Sequence, residues 1–377
     1  MARMLNVLIL ALLAGFGPGC HAPGPKFEAC PSAGDQAIAD VLRPILQKYK
    51  LPALGGAIIT ASGDLTIGVV GVRKAHGGDP VTLDDLWHIG SCGKAMHATL
   101  VARLVEQGKL DWNTTVAEVF PDLAPALGSK LGTVTVAQLL SHHAGLPRDA
   151  DYDRLRRHGP PAQQRWQALK RAGAKALVSE PGTTYSYSNL GYTISGAIIE
   201  KVTGSTYEDA MRQGLFAPLG LTSAIFESAE LVGVENVPWS HDDKGRPIDQ
   251  RKLGFYDPPA LRPAGCMRFT LRDWAKFVLH HLHAARSDTT FLSAASYAKL
   301  HTSPFGDDYA LGWAVCERGW GGGAVLSHTG SNGFNFSTVW IAPKRGFAVL
   351  VCANQNCPAA TDEAAGALIG LHFRSPP

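Results

Sequence analysis

Three short runs in this 377-residue chain place a hydroxyl, an amine, a phenol and an imidazole at spacings that chemistry can use. The first is Ser91-Cys-Gly-Lys94. Residues i and i+3 share a helix face, so the Lys94 amine can reach the Ser91 hydroxyl. A serine attacks a carbonyl only when a base takes its proton, and a lysine whose pKa is lowered by burial and nearby positive charge can be that base. The spacing alone is weak, because chance supplies about one such match in a chain of this composition. A second match, Ser296-Tyr-Ala-Lys299, is indeed present. Context separates the two. Gly90 permits a tight entry into a segment whose Met96, Leu100, Val101, Leu104 and Val105 form a wide apolar face, so Ser91 is expected at the N-terminus of a buried helix, where a developing anion is favoured. Ser296 falls inside the short amphipathic segment Phe291–Leu300, with Lys299 as a solvated charge. Read alone, Ser91 is equally well an ordinary serine at a helix start.

The second run, Tyr187-Ser-Asn189, precedes a helical pattern over Tyr192–Val202 and is the chain's one Y-x-N. A phenol beside a lysine can relay a proton to a leaving group, and an asparagine can fix the amine and a substrate amide. The plain alternative is a polar cap loop with a packed tyrosine ring. The third run, Ser327-His328-Thr329-Gly330-Ser331, ends a strand pattern. A glycine at a strand end opens backbone amides to an oxyanion, and His328 can meet a substrate carboxylate or move a proton. An ordinary polar strand end explains it as well, and His143-Ala-Gly145 shows how readily H-x-G arises.

In this order and at these separations, Ser91–Lys94, Tyr187–Asn189 and His328–Gly330 together resemble the S-x-x-K, Y-x-N and K/H-T-G series of the serine β-lactamase and penicillin-binding superfamily. The Y-x-N form is similar to class C β-lactamases, D-alanyl-D-alanine carboxypeptidases and family VIII esterases. Leu139–Pro147, Pro181–Tyr192, Phe216–Leu221 and Pro263–Trp274 resemble segments of the same family, and coverage runs from about residue 35 to the C-terminus. The resemblance implies an α+β fold of the β-lactamase/transpeptidase type: an antiparallel sheet flanked by helices plus an all-helical insert domain. It implies an acyl-enzyme on Ser91 assisted by Lys94 and Tyr187, with Asn189 orienting Lys94 and substrate. The amides of Ser91 and Ser331 would hold the oxyanion, with Thr329 and Gly330 lining the substrate site. No metal or organic cofactor is required. His328 departs from the β-lactamases, which carry lysine there; a mostly neutral imidazole lacks their fixed cation, which counts against efficient antibiotic hydrolysis. The expected substrate is a small ester, a peptide amide or a β-lactam-like molecule. The alternatives are a working class C-type β-lactamase and a non-catalytic, penicillin-binding-like sensor.

The elements that must position these residues can be read from periodicity. Asp35 caps a helix bearing Ile38, Val41, Leu42, Ile45 and Leu46. Gly55–Thr60 and Leu65–Val72 flank the turn Ala61-Ser-Gly-Asp64 as a hairpin. Helical patterns follow over Ala95–Glu106, Val136–Leu140, Tyr192–Val202, Tyr207–Phe216 and Leu271–Leu282, with loops expected at 149–175 and 228–262. Strand patterns return at Tyr309–Val315, Val325–Ser327, Asn335–Ile341 and Phe347–Ala353, and Ala359–Phe373 closes as a helix. A helical stretch between two sets of strands predicts an insert into one antiparallel sheet. The expected organisation is residues 35–84 with 284–377 as an α/β domain and 85–283 as a mainly helical domain carrying the nucleophile, after a linker at 21–34.

Composition narrows the partners. With 45% hydrophobic and 18% charged residues the chain is globular, and a net charge of +3 without a long run of one sign gives no nucleic-acid footprint. Leu5–Phe16 is shorter than the about 20 residues of a spanning helix and reads, with Arg3 before it and small residues up to Cys20 after it, as a signal peptide over residues 1–20. The protein is therefore expected to be exported, to a periplasm or outer cell envelope, with Cys20 available for lipid anchoring. Export would permit disulfides among the remaining cysteines, whose pairing spacing does not fix. Neither His142-His143 nor His280-His281-Leu282-His283 has zinc spacing.

Overall fold

The computed structural model describes residues 30–226, 229–249, 258–284 and 291–374. The leader read at residues 1–20 and Cys20 lie outside these residues. Seven strands form one sheet: β1 (Ser32–Gly34), β2 (Ala53–Thr60), β3 (Leu65–Gly71), β4 (Ala314–Arg318), β5 (Gly323–Ser331), β6 (Phe336–Ala342) and β7 (Phe347–Ala353). Their order is β1-β3-β2-β7-β6-β5-β4, with every pair antiparallel. Strands from the two ends of the chain thus join at β2 and β7, where Ala57 faces Leu350.

One face of the sheet is covered by the helices Gln36–Tyr49 and Pro358–Arg374, whose Ile38, Leu42, Leu46, Ala364 and Leu368 pack on Val70, Val349 and Val351. Asp35 caps the first helix, accepting from the Ile38 amide. The other face carries the helix Leu271–Leu282 and a larger core that runs on into the helical half, where Met96, Leu100, Ile194 and Ile198 are buried. Cys30, Cys92, Cys316, Cys352 and Cys357 are free thiols.

Three readings from sequence differ. The segment taken as a linker ends in an edge strand, Ser32–Gly34 paired with β3. The strand expected over Tyr309–Val315 begins only at Ala314, and buried Tyr309 makes a single antiparallel bridge back to Ala314. The stretch expected as loop at 149–175 contains a 13-residue helix, Pro161–Gly173. That helix buries Ala168, Leu169 and Ala172, but Gln164 and Arg165 are buried in the turn before them, with Arg165 paired to Glu200 and Glu208. One arginine and two glutamates interrupt the apolar periodicity in the first half of the helix.

Candidate active site

Ser91 sits in a single 3-10 turn, Gly90–Cys92, that leads directly into the helix Gly93–Glu106. Gly90 has φ +51°, and a Cβ there would lie 2.4 Å from the Ser331 amide nitrogen. A Cβ on Gly330 would lie 2.0 Å from the Ile89 carbonyl oxygen and 2.7 Å from the Ser91 nitrogen. The turn and the end of β5 therefore meet backbone to backbone, an approach open only to glycine. This contact sets the main chain of Ser91 beside that of Ser331, the geometry in which two amides can meet one oxyanion. The Ser331 hydroxyl donates to Asn356 Oδ1 at 2.8 Å.

Lys94 is fully buried, with Nζ 3.0 Å from Ser91 Oγ, 2.8 Å from Asn189 Oδ1 and 2.7 Å from the Ala264 carbonyl. Burial lowers its pKa to about 7, with Arg148 pushing the same way and Asp149 opposing. The neutral amine has two hydrogens and one lone pair. Asn189 Oδ1 and the Ala264 carbonyl only accept, so they take the two hydrogens. The lone pair is left for the Ser91 hydroxyl, which makes Lys94 competent as the base.

Tyr187 and Asn189 reach the site from the loop before the helix Asn189–Thr203 and from its first residue. The Tyr187 ring centre lies 4.8 Å from Lys94 Nζ. Burial raises its phenol pKa above the ordinary value while a hydrogen bond with Ser91 pulls it down, so the phenol is protonated at neutral pH and can give a proton. Ser188 between them caps the helix, accepting from the Gly191 amide and donating to the Pro147 carbonyl.

His328 is buried on β5 with both ring nitrogens engaged. Nδ1 lies 2.6 Å from the Thr329 carbonyl and Nε2 2.9 Å from the Tyr309 hydroxyl. A carbonyl cannot donate, so Nδ1 carries the proton and Nε2 accepts from Tyr309. Burial, with the Lys94 charge adding to it, lowers the His328 pKa to about 3. The imidazole is thus neutral and internally saturated, and it offers no cation to a substrate carboxylate.

Ser91, Lys94, Tyr187 and Asn189 come together, and Gly330 and Ser331 abut Ser91, while His328 and Thr329 bond to each other. The competing Ser296 lies on an exposed helix and donates to Glu106. Sequence reading passed over four contributors. Ala264 acts through a backbone carbonyl, which residue type does not reveal. Asp149 accepts from Asn189 Nδ2 at 2.9 Å, and His142 packs on Tyr187 with ring centres 4.2 Å apart. Tyr309 lay in a misread strand. Asp149 and His142 lie within or just after Leu139–Pro147, so that run was the available signal.

With this geometry in hand, known proteins are informative. A model of the beta-lactamase family matches residues 38–372. Penicillin-binding protein 4 of Amycolatopsis lactamdurans is 32% identical over 81% of this chain and 82% of its own length. The unguisins hydrolase of Aspergillus campestris is 27% identical over 85% of this chain and 61% of its own. Among solved structures, the octameric penicillin-binding protein homologue of Pyrococcus abyssi shares the fold with a TM-score of 0.75 at 24% identity, covering 90% of this chain and 77% of that one.

Proposed function

Since this chain belongs to the beta-lactamase family of serine hydrolases, we propose that it cleaves a small ester or amide through a covalent acyl intermediate on Ser91. The observation that carries this reading is the Lys94 amine, buried, with a pKa of about 7 and 3.0 Å from the Ser91 hydroxyl. Neutral Lys94 takes the Ser91 proton as Oγ adds to the substrate carbonyl, and the oxyanion rests on the Ser91 and Ser331 amides. Tyr187 delivers a proton to the leaving alcohol or amine as the carbonyl re-forms, and Lys94 passes to Tyr187 the proton it took from Ser91. Water then adds to the acyl-serine, giving up its proton to the same pair, which returns a proton to Ser91 Oγ as the acid departs.

The neutral, engaged His328 supports an ester or amide without a carboxylate at that position over a β-lactam or peptide whose carboxylate needs a cation. One relative named an unguisins hydrolase and another named a penicillin-binding protein are both compatible with a hydrolase that forms an acyl-serine. Mass mapping after treatment with a fluorophosphonate is the direct test. Adduct on Ser91, absent in Ser91→Ala, is expected; adduct on another residue would end the proposal. The leader read at residues 1–20 supports a place outside the cytoplasm, with Cys20 as an acylation site. Fractionation of cells with and without Cys20→Ser tests that placement, and a soluble wild-type protein would remove the anchor.

A further inference from the structure

His142 occupies a left-handed backbone conformation that is uncommon for any residue but glycine. It follows the short helix Val136–Leu140 with φ +65°, in the left-handed region where a non-glycine side chain is strained. What the strain accomplishes is visible in its contacts. The His142 carbonyl accepts from the Ser186 amide at 2.8 Å, and its Nδ1 accepts from the Ser188 amide at 3.0 Å. One residue thus holds the chain immediately before and immediately after Tyr187. Between those two bonds its ring lies against the Tyr187 ring, with centres 4.2 Å apart and planes 35° apart. Tyr309, the partner of His328, lies at 4.7 Å on the same imidazole.

The protonation state follows from the bonds. An amide donates to Nδ1, so the neutral ring carries its proton on Nε2, and burial keeps the ring neutral, with the Lys94 charge adding to it. That Nε2 is buried and finds no hydrogen-bond partner among the described residues. A strained backbone and an unmatched buried donor at one residue both cost stability, and the two costs meet beside the reacting groups.

We propose that His142 is a positioning residue of this site, fixing the angle at which the Tyr187 phenol meets Ser91 by clamping the chain on both sides of Tyr187 and bearing on its ring. The proposal rests on the acyl-serine reading above.

The test is a double-mutant cycle on hydrolysis of a p-nitrophenyl ester, with melting temperatures measured alongside. His142→Gly adopts the left-handed backbone without strain but deletes the ring and its acceptor. His142→Asn keeps tolerance of that backbone and supplies an acceptor oxygen. A phenol displaced by about 1 Å can cost up to about 100-fold, so His142→Gly is expected to lower kcat at least about tenfold with KM nearly constant. His142→Asn should recover most of that loss. In a Tyr187→Phe background the loss from His142→Gly should shrink to under about twofold, because no phenol remains to be aimed. Equal losses in both backgrounds, or His142→Asn no better than His142→Gly, would overturn the positioning role. If Ser91→Ala retained full hydrolysis, the acyl-serine reading itself would fail, a result distinct from either of these.

Discussion

Asn189 Nδ2 donates to Asp149 Oδ1 at 2.9 Å, and that bond decides which end of the Asn189 amide faces Lys94. A carboxylate only accepts, so the nitrogen turns to Asp149 and the oxygen to the Lys94 amine. Asp149→Ala releases this constraint and lets the amide flip, which sets its hydrogens against those of Lys94. A fall in kcat of about tenfold for a p-nitrophenyl ester, the value of one charge-assisted hydrogen bond, is expected. An unchanged kcat would show that Asn189 is oriented by other means.

Because the working form of Lys94 is the neutral amine, activity should rise with pH through an apparent pKa near 7. Arg148 lowers that value and Asp149 raises it. Arg148→Gln should therefore move the acid limb of kcat/KM to higher pH and Asp149→Asn to lower pH, each by a few tenths of a unit given their exposure and salt screening. Movement in the same direction for both variants contradicts the assignment of the limb to Lys94.

The same amine makes stability depend on pH. Its folded pKa of about 7 lies below its unfolded value of 10.5, so between these pH values the unfolded chain binds the extra proton. Wild-type stability should then climb with pH across that window, by at most about 1.4 kcal/mol per unit from this group. Lys94→Met removes the buried charge, so it should melt higher than wild type at pH 6 and the gap should close towards pH 10. Denaturant titrations of both proteins at several pH values measure it; a constant gap refutes the burial argument.

Gly330→Ala tests the close approach between β5 and the turn of Ser91. Its Cβ would lie 2.0 Å from the Ile89 carbonyl oxygen, and the strand end must retreat. Since the loss of one oxyanion donor costs about 100-fold or more, kcat should drop at least tenfold while the rest of the sheet persists by circular dichroism. Wild-type turnover in this variant would dissociate the contact from catalysis.

Much of this site was readable because its parts are local. Ser91 and Lys94 lie one helical turn apart, and Tyr187 and Asn189 flank a cap serine, so each pair is a short run that becomes legible once the three runs are taken together in their order. The helix Gln36–Tyr49 announced itself by Asp35 and its apolar stripe. Other features depend on distant chain. Arg165 is buried only because Glu200 and Glu208 meet it, so the apolar stripe of Pro161–Gly173 is confined to Ala168, Leu169 and Ala172, too short a run to mark the helix in sequence. Tyr309 opens an aromatic and apolar run that in sequence reads as strand, yet it makes a single bridge to Ala314 and carries its hydroxyl to His328. The imidazole of His328 suggested a proton donor; only its two partners reveal that neither nitrogen is available for that task.

The sheet order has a consequence for biosynthesis. β2 emerges early from the ribosome with its neighbour β3 close behind, yet its other neighbour, β7, is encoded nearly at the end of the chain. One side of a hydrophobic strand therefore stays open until translation is almost complete, and long-range closures of this kind are slow. A polypeptide that cannot finish its central sheet until its last strand arrives remains threadable for most of its synthesis, and a nonsense mutation upstream of Phe347 leaves an adhesive edge rather than a smaller folded protein.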